Sequence, residues 1–98
     1  MEYRIIWLPK AEERFDKIIA YLKKNWSDNE VKNFVNNSNL VINQIRSNPE
    51  LFKKSRKKGI REALITKHNL LLYRVVNDQI QILAFFDNRQ NPNKKYRF

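Results

Sequence analysis

Six basic residues fall within nine positions of the chain: Lys53, Lys54, Arg56, Lys57 and Lys58, with Arg61 just after them. A focused run of cations attracts polyanions, and each phosphate it neutralises makes binding more sensitive to salt. Such a run points to a nucleic acid or an acidic protein as partner; the plain alternative is a flexible, solvated loop that aids solubility. A second basic group, Arg89, Lys94, Lys95 and Arg97, lies at the C-terminus, with Tyr96 within it. His68 is the single histidine and there is no cysteine. Disulfide scaffolds, cysteine nucleophiles and thiolate zinc sites are therefore excluded, one histidine makes no His-rich metal site, and neither metal nor cofactor is expected.

The cations are unevenly placed. The 98 residues carry 20 Lys+Arg against 10 Asp+Glu, a net charge of +10. Residues 1–50 hold eight basic and seven acidic side chains, whereas residues 51–98 hold twelve basic and three acidic ones, Glu62, Asp78 and Asp87. The second half thus carries +9 of the total. The length suits one domain over residues 1–98 with a single modest core, and 42% hydrophobic residues suffice to build it. No apolar run approaches the 18 or so residues of a membrane span. The opening MEYRIIWLPK lacks the long apolar stretch of a signal peptide, so a cytoplasmic protein is expected.

The elements that must position these side chains are legible from periodicity. Tyr3–Leu8 is β-branched and aromatic and reads as a strand ending at Pro9. Ala11, Phe15, Ile18, Ile19, Leu22 and Trp26 then recur as one helical stripe. Glu12, Glu13 and Asp16 sit near its start and Lys23 and Lys24 near its end, as the helix dipole favours. Ser27-Asp28-Asn29-Glu30 is a capping-box pattern opening a second helix. Its stripe is Val31, Phe34, Val35, Val41, Ile42 and Ile45, with Ser38 in the vacant place, Leu40 on the far side and Pro49 at the end. So short a connection makes the two helices a hairpin.

Beyond the basic loop and Gly59, the only glycine, three strand-like runs follow: Ile60–Ile65, Leu70–Val76 and Ile80–Phe86. His68-Asn69 and Asn77-Asp78 supply turns short enough for antiparallel pairing. A polar, basic tail runs over about 88–98. The order β-α-α-β-β-β describes an α+β domain, a helical hairpin packed on a small, mainly antiparallel sheet, with the first strand at either its edge or its middle.

In this order the chain resembles the RelE/ParE-family toxins of bacterial type II toxin–antitoxin modules. The run PKAEERFDKIIAYLKKNW is similar to the family's first helix, IRSNPE to the ending of its second, and LLLYRVVNDQIQILAFFDNRQNP to its closing hairpin. The resemblance spans roughly residues 3–95. One departure is Leu8, where many members carry a Ser or Thr that caps the helix.

The resemblance implies a growth-inhibitory protein silenced by a cognate antitoxin encoded by an adjacent gene, with operator DNA bound only through the complex. Two chemistries divide the family. RelE-like members cut messenger RNA on the ribosome, and ParE-like members inhibit DNA gyrase by binding it. Metal-free cleavage by the 2′-hydroxyl needs a base, cations to stabilise the phosphorane, and an acid for the leaving oxygen. The candidates are Arg61, Arg74 and Arg89 for charge, His68 or Tyr96 for proton transfer, and a lysine of the cluster as base if repulsion lowers its pKa from about 10.4. Each has a bland counterpart: His68 is a polar turn residue, Tyr73 and Arg74 point to opposite faces so that one serves packing, and Tyr96 belongs to the tail. Several nuclease members carry an arginine where Leu64 and Ile65 stand here, and many place His-Tyr or Arg-plus-Tyr after the last strand, where this chain has Phe85-Phe86-Asp87-Asn88. Asp87 also sets a negative charge where a phosphate would approach unless Arg89 compensates. The incomplete acid–base set favours the ParE-like, non-enzymatic reading. Target or nucleic-acid binding then falls to Lys53, Lys54, Arg56, Lys57, Lys58, Arg61 and Arg89. The alternatives are a ribosome-dependent endoribonuclease and a non-toxic RNA-binding domain, the latter using Tyr96-Arg97-Phe98 to stack bases and meet phosphate.

Overall fold

A computed structural model describes residues 3–89 and 92–98; Gln90 and Asn91 of the polar tail lie outside the described residues. The chain runs β1 (Arg4–Trp7), α1 (Pro9–Asn25), α2 (Asp28–Ser47), β2 (Lys53–Lys54), β3 (Arg61–Leu64), β4 (Asn69–Val76) and β5 (Gln79–Asp87), followed by a 3₁₀ turn at Pro92–Lys94. The strands form one sheet in the order β1-β5-β4-β3-β2. All neighbours are antiparallel except β1, which lies at the edge, parallel to β5. The expected fold is thus present, and the first strand takes the edge. One correction concerns the basic loop: its first two residues form β2, pairing Lys53 with Glu62 and Lys54 with Arg61. Periodicity cannot reveal a two-residue strand.

Local sequence accounts for the helix ends. Leu8 offers no side-chain cap to α1. Its carbonyl instead accepts from the Ala11 and Glu12 N–H groups, while its own N–H donates to Ile82 O at 3.0 Å, so the sheet ladder fixes the entry to the helix. Pro9 at the first helical position has no N–H to lose there. At α2 the Ser27 Oγ accepts from the Glu30 N–H at 3.4 Å, the forward half of the capping box. Ser38, fully buried among the apolar residues of that helix, donates its hydroxyl proton to Phe34 O at 2.8 Å. Trp26 corrects the first stripe: it caps the C-terminus of α1 and is 62% exposed. Leu40 is exposed on the far side of α2, as expected.

A β-bulge sets the two faces of the sheet. Leu72 pairs with Ala84 and Tyr73 with Ile82, leaving Leu83 as the extra residue of β5. Before the bulge Ile80 and Ile82 face the helices, and after it Phe85 does, so the inward positions change parity along the strand. Leu83 and Ala84 join Leu72 and Ile60 on the opposite face, against Leu8 and Tyr96. Four rings from four elements meet on the helical face: Trp7 of β1, Phe15 of α1, Phe34 of α2 and Phe85 of β5. Five ring pairs among them have centroids 5.1–6.0 Å apart. Aromatic pairs in this range add about 0.5–1.5 kcal/mol each beyond their buried area. Phe34→Ala is therefore expected to cost about 3–5 kcal/mol of stability. Urea unfolding followed by circular dichroism measures this as a fall in midpoint at unchanged slope.

Candidate functional site

The ends of the sheet divide the candidate residues. At one end, Lys54, Lys57, Lys58, Arg61 and Arg74 line an open groove of about 450 Å³, joined by Glu50. The loop carrying the lysines is closed by its own hydrogen bonds. Ser55 N–H donates to Ile60 O at 2.9 Å, Ile60 N–H to Lys57 O at 3.1 Å, and Lys57 N–H to Ser55 Oγ at 3.1 Å. Gly59 completes the turn at φ +83°, a conformation that side chains with a Cβ rarely adopt. The cations are held on a defined scaffold.

Arg61 shares the helical face with Ala63. Its guanidinium donates to Phe52 O at 2.7 Å and Glu50 O at 3.4 Å. Directly opposite it on β4, Tyr73 is fully buried and donates its hydroxyl proton to Pro49 O at 2.6 Å. Together the two side chains tie the segment after α2 to the sheet. Burial pushes the Tyr73 phenol up to about 12, partly offset by the nearby Arg61 charge. Arg74 points the other way and is exposed, its Nε donating to Gln81 Oε1 at 2.8 Å. Of this adjacent pair Tyr73 serves packing and Arg74 is free to meet a ligand.

His68 and Arg89 lie at the other end. Asn69, next to His68, pairs with Asp87, and four residues separate Asn69 from Tyr73, the partner of Arg61. At about 3.3 Å per residue this places Asn69, the neighbour of His68, about 13 Å from the level of Arg61. Arg89 is clamped by Asp87, Nε to Oδ1 at 3.0 Å and Nη2 to Oδ2 at 2.7 Å. The Arg89 side-chain hydrogen bonds hold the Asp87 carboxyl below the usual carboxylate range, against a smaller opposing effect of burial. Asp87 therefore occupies the guanidinium fork that a phosphate would use.

Tyr96 occupies a third place, on the sheet face away from the helices. Its hydroxyl donates to Glu62 Oε2 at 3.0 Å, and Lys95 Nζ reaches the same oxygen at 2.5 Å. Nothing in the sequence pattern marked Glu62 or Arg14. Yet Glu62 holds the tail through Lys95 and Tyr96, and Arg14 holds it through the carbonyl of Arg97. Their role depends on residues more than thirty positions away, which periodicity does not report. The tail beyond Pro92 is thus tied down, and Tyr96 is committed to it. Glu50 was also missed; its place in the groove follows from the turn after Pro49. Among the described residues, no cluster of His, Cys, Asp and Glu fit to hold a metal is present, and no helix is long and apolar enough to cross a membrane.

Residues 5–92 match the model of the ParE toxin of the type II toxin–antitoxin system parDE. The chain belongs to this family. Its fold is similar to that in the chromosomal ParDE toxin–antitoxin system from P. aeruginosa, with a TM-score of 0.75 at 18% identity, covering 88% of this chain and 96% of that one. It is also similar to the YoeB dimer from Staphylococcus aureus, with a TM-score of 0.64 at 22% identity over 88% of this chain and 97% of that one. The E. coli DinJ-YafQ toxin–antitoxin complex gives 0.60 at 12% identity, over 89% and 93%. Among curated proteins, none matches the chain at significant sequence similarity. The chain is therefore a type II toxin of the ParE/RelE fold.

Two measurements check the anchoring contacts of this toxin. A group whose pKa is raised on folding contributes stability that is complete below its unfolded value, here 10.0, and is lost as pH climbs toward 12. The stability difference between wild type and Tyr73→Phe is accordingly expected to narrow over that interval, read from urea midpoints. Glu62→Gln removes the charge that holds the tail. Amide exchange at Lys95, Tyr96 and Arg97 is expected to quicken, with little change in α2.

Proposed function

We propose that this protein is the growth-arresting component of a type II module and acts by inhibiting DNA gyrase, without cleaving a substrate. The observation that supports the reading is the dispersal of the proton-transfer candidates. His68 is at one end of the sheet, Arg61 at the other, Tyr96 on the opposite face, and Arg89 is neutralised by Asp87. Hydrolytic or transesterification chemistry needs its base, acid and charge stabiliser within hydrogen-bond reach of one reacting centre. An inhibitor that works by occupancy needs only a complementary surface.

A cognate antitoxin from an adjacent gene is the expected partner. The similar folds seen in the ParDE system and the DinJ-YafQ complex support it. An acidic, amphipathic antitoxin segment would complement the basic half and fold as it binds. Operator DNA would be engaged through that complex, in the cytoplasm.

A second reading is ribosome-dependent RNA cleavage. It rests on Glu50, a carboxylate that shares the groove with Arg61, Arg74 and three lysines and so places a potential base among phosphate-binding cations.

Supercoiling by purified gyrase tests the first reading. Excess toxin is expected to abolish it, and pre-mixing with antitoxin to restore it; normal supercoiling at excess toxin overturns the proposal. Growth arrest is expected to survive His68→Ala and Tyr96→Phe unchanged. New ribosome-dependent transcript ends on induction, seen by primer extension and lost in Glu50→Gln, would establish the nuclease instead.

A further inference from the structure

Five cations outside the groove have carboxylate partners. Arg4 pairs with Asp78 at 3.5 Å, Lys10 and Lys17 with Glu13 at 3.2 and 3.1 Å, Arg89 with Asp87, and Lys95 with Glu62. The cations of the groove have none, and there they are crowded together. Among the described residues no ion pair reaches Lys54, Lys57, Lys58, Arg61 or Arg74, and the two arginines bond only to neutral carbonyl and amide oxygens. Lys54 and Arg61 stand directly opposite each other across β2 and β3, where like charges destabilise a strand pair. Five cations line one open concavity, on a hydrogen-bonded loop and adjoining strands, against the single carboxylate of Glu50, and this excess of positive charge forms a site whose repulsion an anion would relieve.

The lining also indicates which anion. The one aromatic residue of the groove, Tyr3, packs its ring against the helical core. No free ring in the groove is available to stack an unpaired base, as single-strand binders require. Lysine and arginine heads without a stacking platform suit a backbone whose bases are already hidden. We propose that this groove binds the phosphodiester backbone of duplex DNA without reading sequence. This inference rests on the gyrase reading above and deepens it: the toxin would grip the DNA segment that the enzyme holds as well as the enzyme itself.

Fluorescence anisotropy of the purified full-length protein tests the site, using a labelled duplex of two unrelated sequences, the matching single strand, and poly-glutamate. Both duplexes are expected to bind alike and more tightly than either other probe. If all five cations meet phosphates, log affinity falls against log salt with a slope of about −4 to −5. Lys57→Glu/Lys58→Glu should weaken duplex binding about tenfold or more and reduce that slope by about two. Lys23→Glu/Lys24→Glu makes the same change in net charge at the far end of α1 and should do much less. Circular dichroism confirms that both variants fold, and Arg74→Gln provides an independent reduction of the slope by about one.

Equal losses in the two double variants would reduce the site to net charge and overturn the inference. Tighter binding of the single strand would also overturn it, and tighter binding of poly-glutamate would assign the groove to an acidic protein. The supercoiling assay separates this inference from the reading beneath it. A wild-type protein that binds duplex yet leaves gyrase untouched refutes the gyrase reading alone. A wild-type protein that blocks gyrase without binding duplex refutes the groove alone.

Discussion

The meeting of Trp7, Phe15, Phe34 and Phe85 holds the molecule together, because each ring comes from a different element and the cluster joins both helices to the β1–β5 side of the sheet. The node depends on the bulge at Leu83. Without the extra residue, the alternation that turns Ile80 and Ile82 toward the helices would turn Phe85 away from them. One inserted residue therefore allows β5 to pack against both helices and still place Leu83 and Ala84 on the opposite face. The tail that carries Tyr96 closes over that second, smaller cluster, so the bulge also determines where the C-terminus can settle.

The same framework explains the charge distribution. Arg4, Lys10, Lys17, Arg89 and Lys95 are in ion pairs with nearby carboxylates, most of them exposed and individually weak. Among the described residues the groove cations form no ion pair, and Arg61 and Tyr73 hold the segment after α2 in place so that the groove keeps its shape. Arg61 is thus a positioning residue as much as a charged one: its guanidinium is engaged by two backbone carbonyls, leaving the lysines and Arg74 as the more open part of the surface.

The family and its element order were legible because helical stripes, a capping box and short polar turns are local signals. Gyrase-type or nuclease-type chemistry was legible only as an inventory of residue types. Arg61, His68, Arg89 and Tyr96 look equivalent along the chain, yet the fold sends them to different places. The reason is the pairing of β3 and β4, which sets Arg61 opposite Tyr73 and leaves His68 beside the turn at the other end. Trp26 shows the limit of periodicity itself: it continues the stripe of α1 in spacing, but the helix ends just before it and the ring faces solvent. Lys53 and Lys54 show another, since a strand of two residues exists only because β3 is there to pair with it.

By itself the sequence determined the two amphipathic helices, the antiparallel run of strands after them, and a second half carrying nearly all the positive charge. These follow from side-chain type and near-neighbour spacing, which act over a few residues. Tertiary structure alone decided the parallel edge pairing of β1, the change of face at Leu83, the capture of Tyr96 by Glu62, and the neutralisation of Arg89 by Asp87. It also decided which cations remain unpaired around one groove. Each of these turns on strand register or on contacts between distant segments, and only the folded sheet brings those segments within reach of one another.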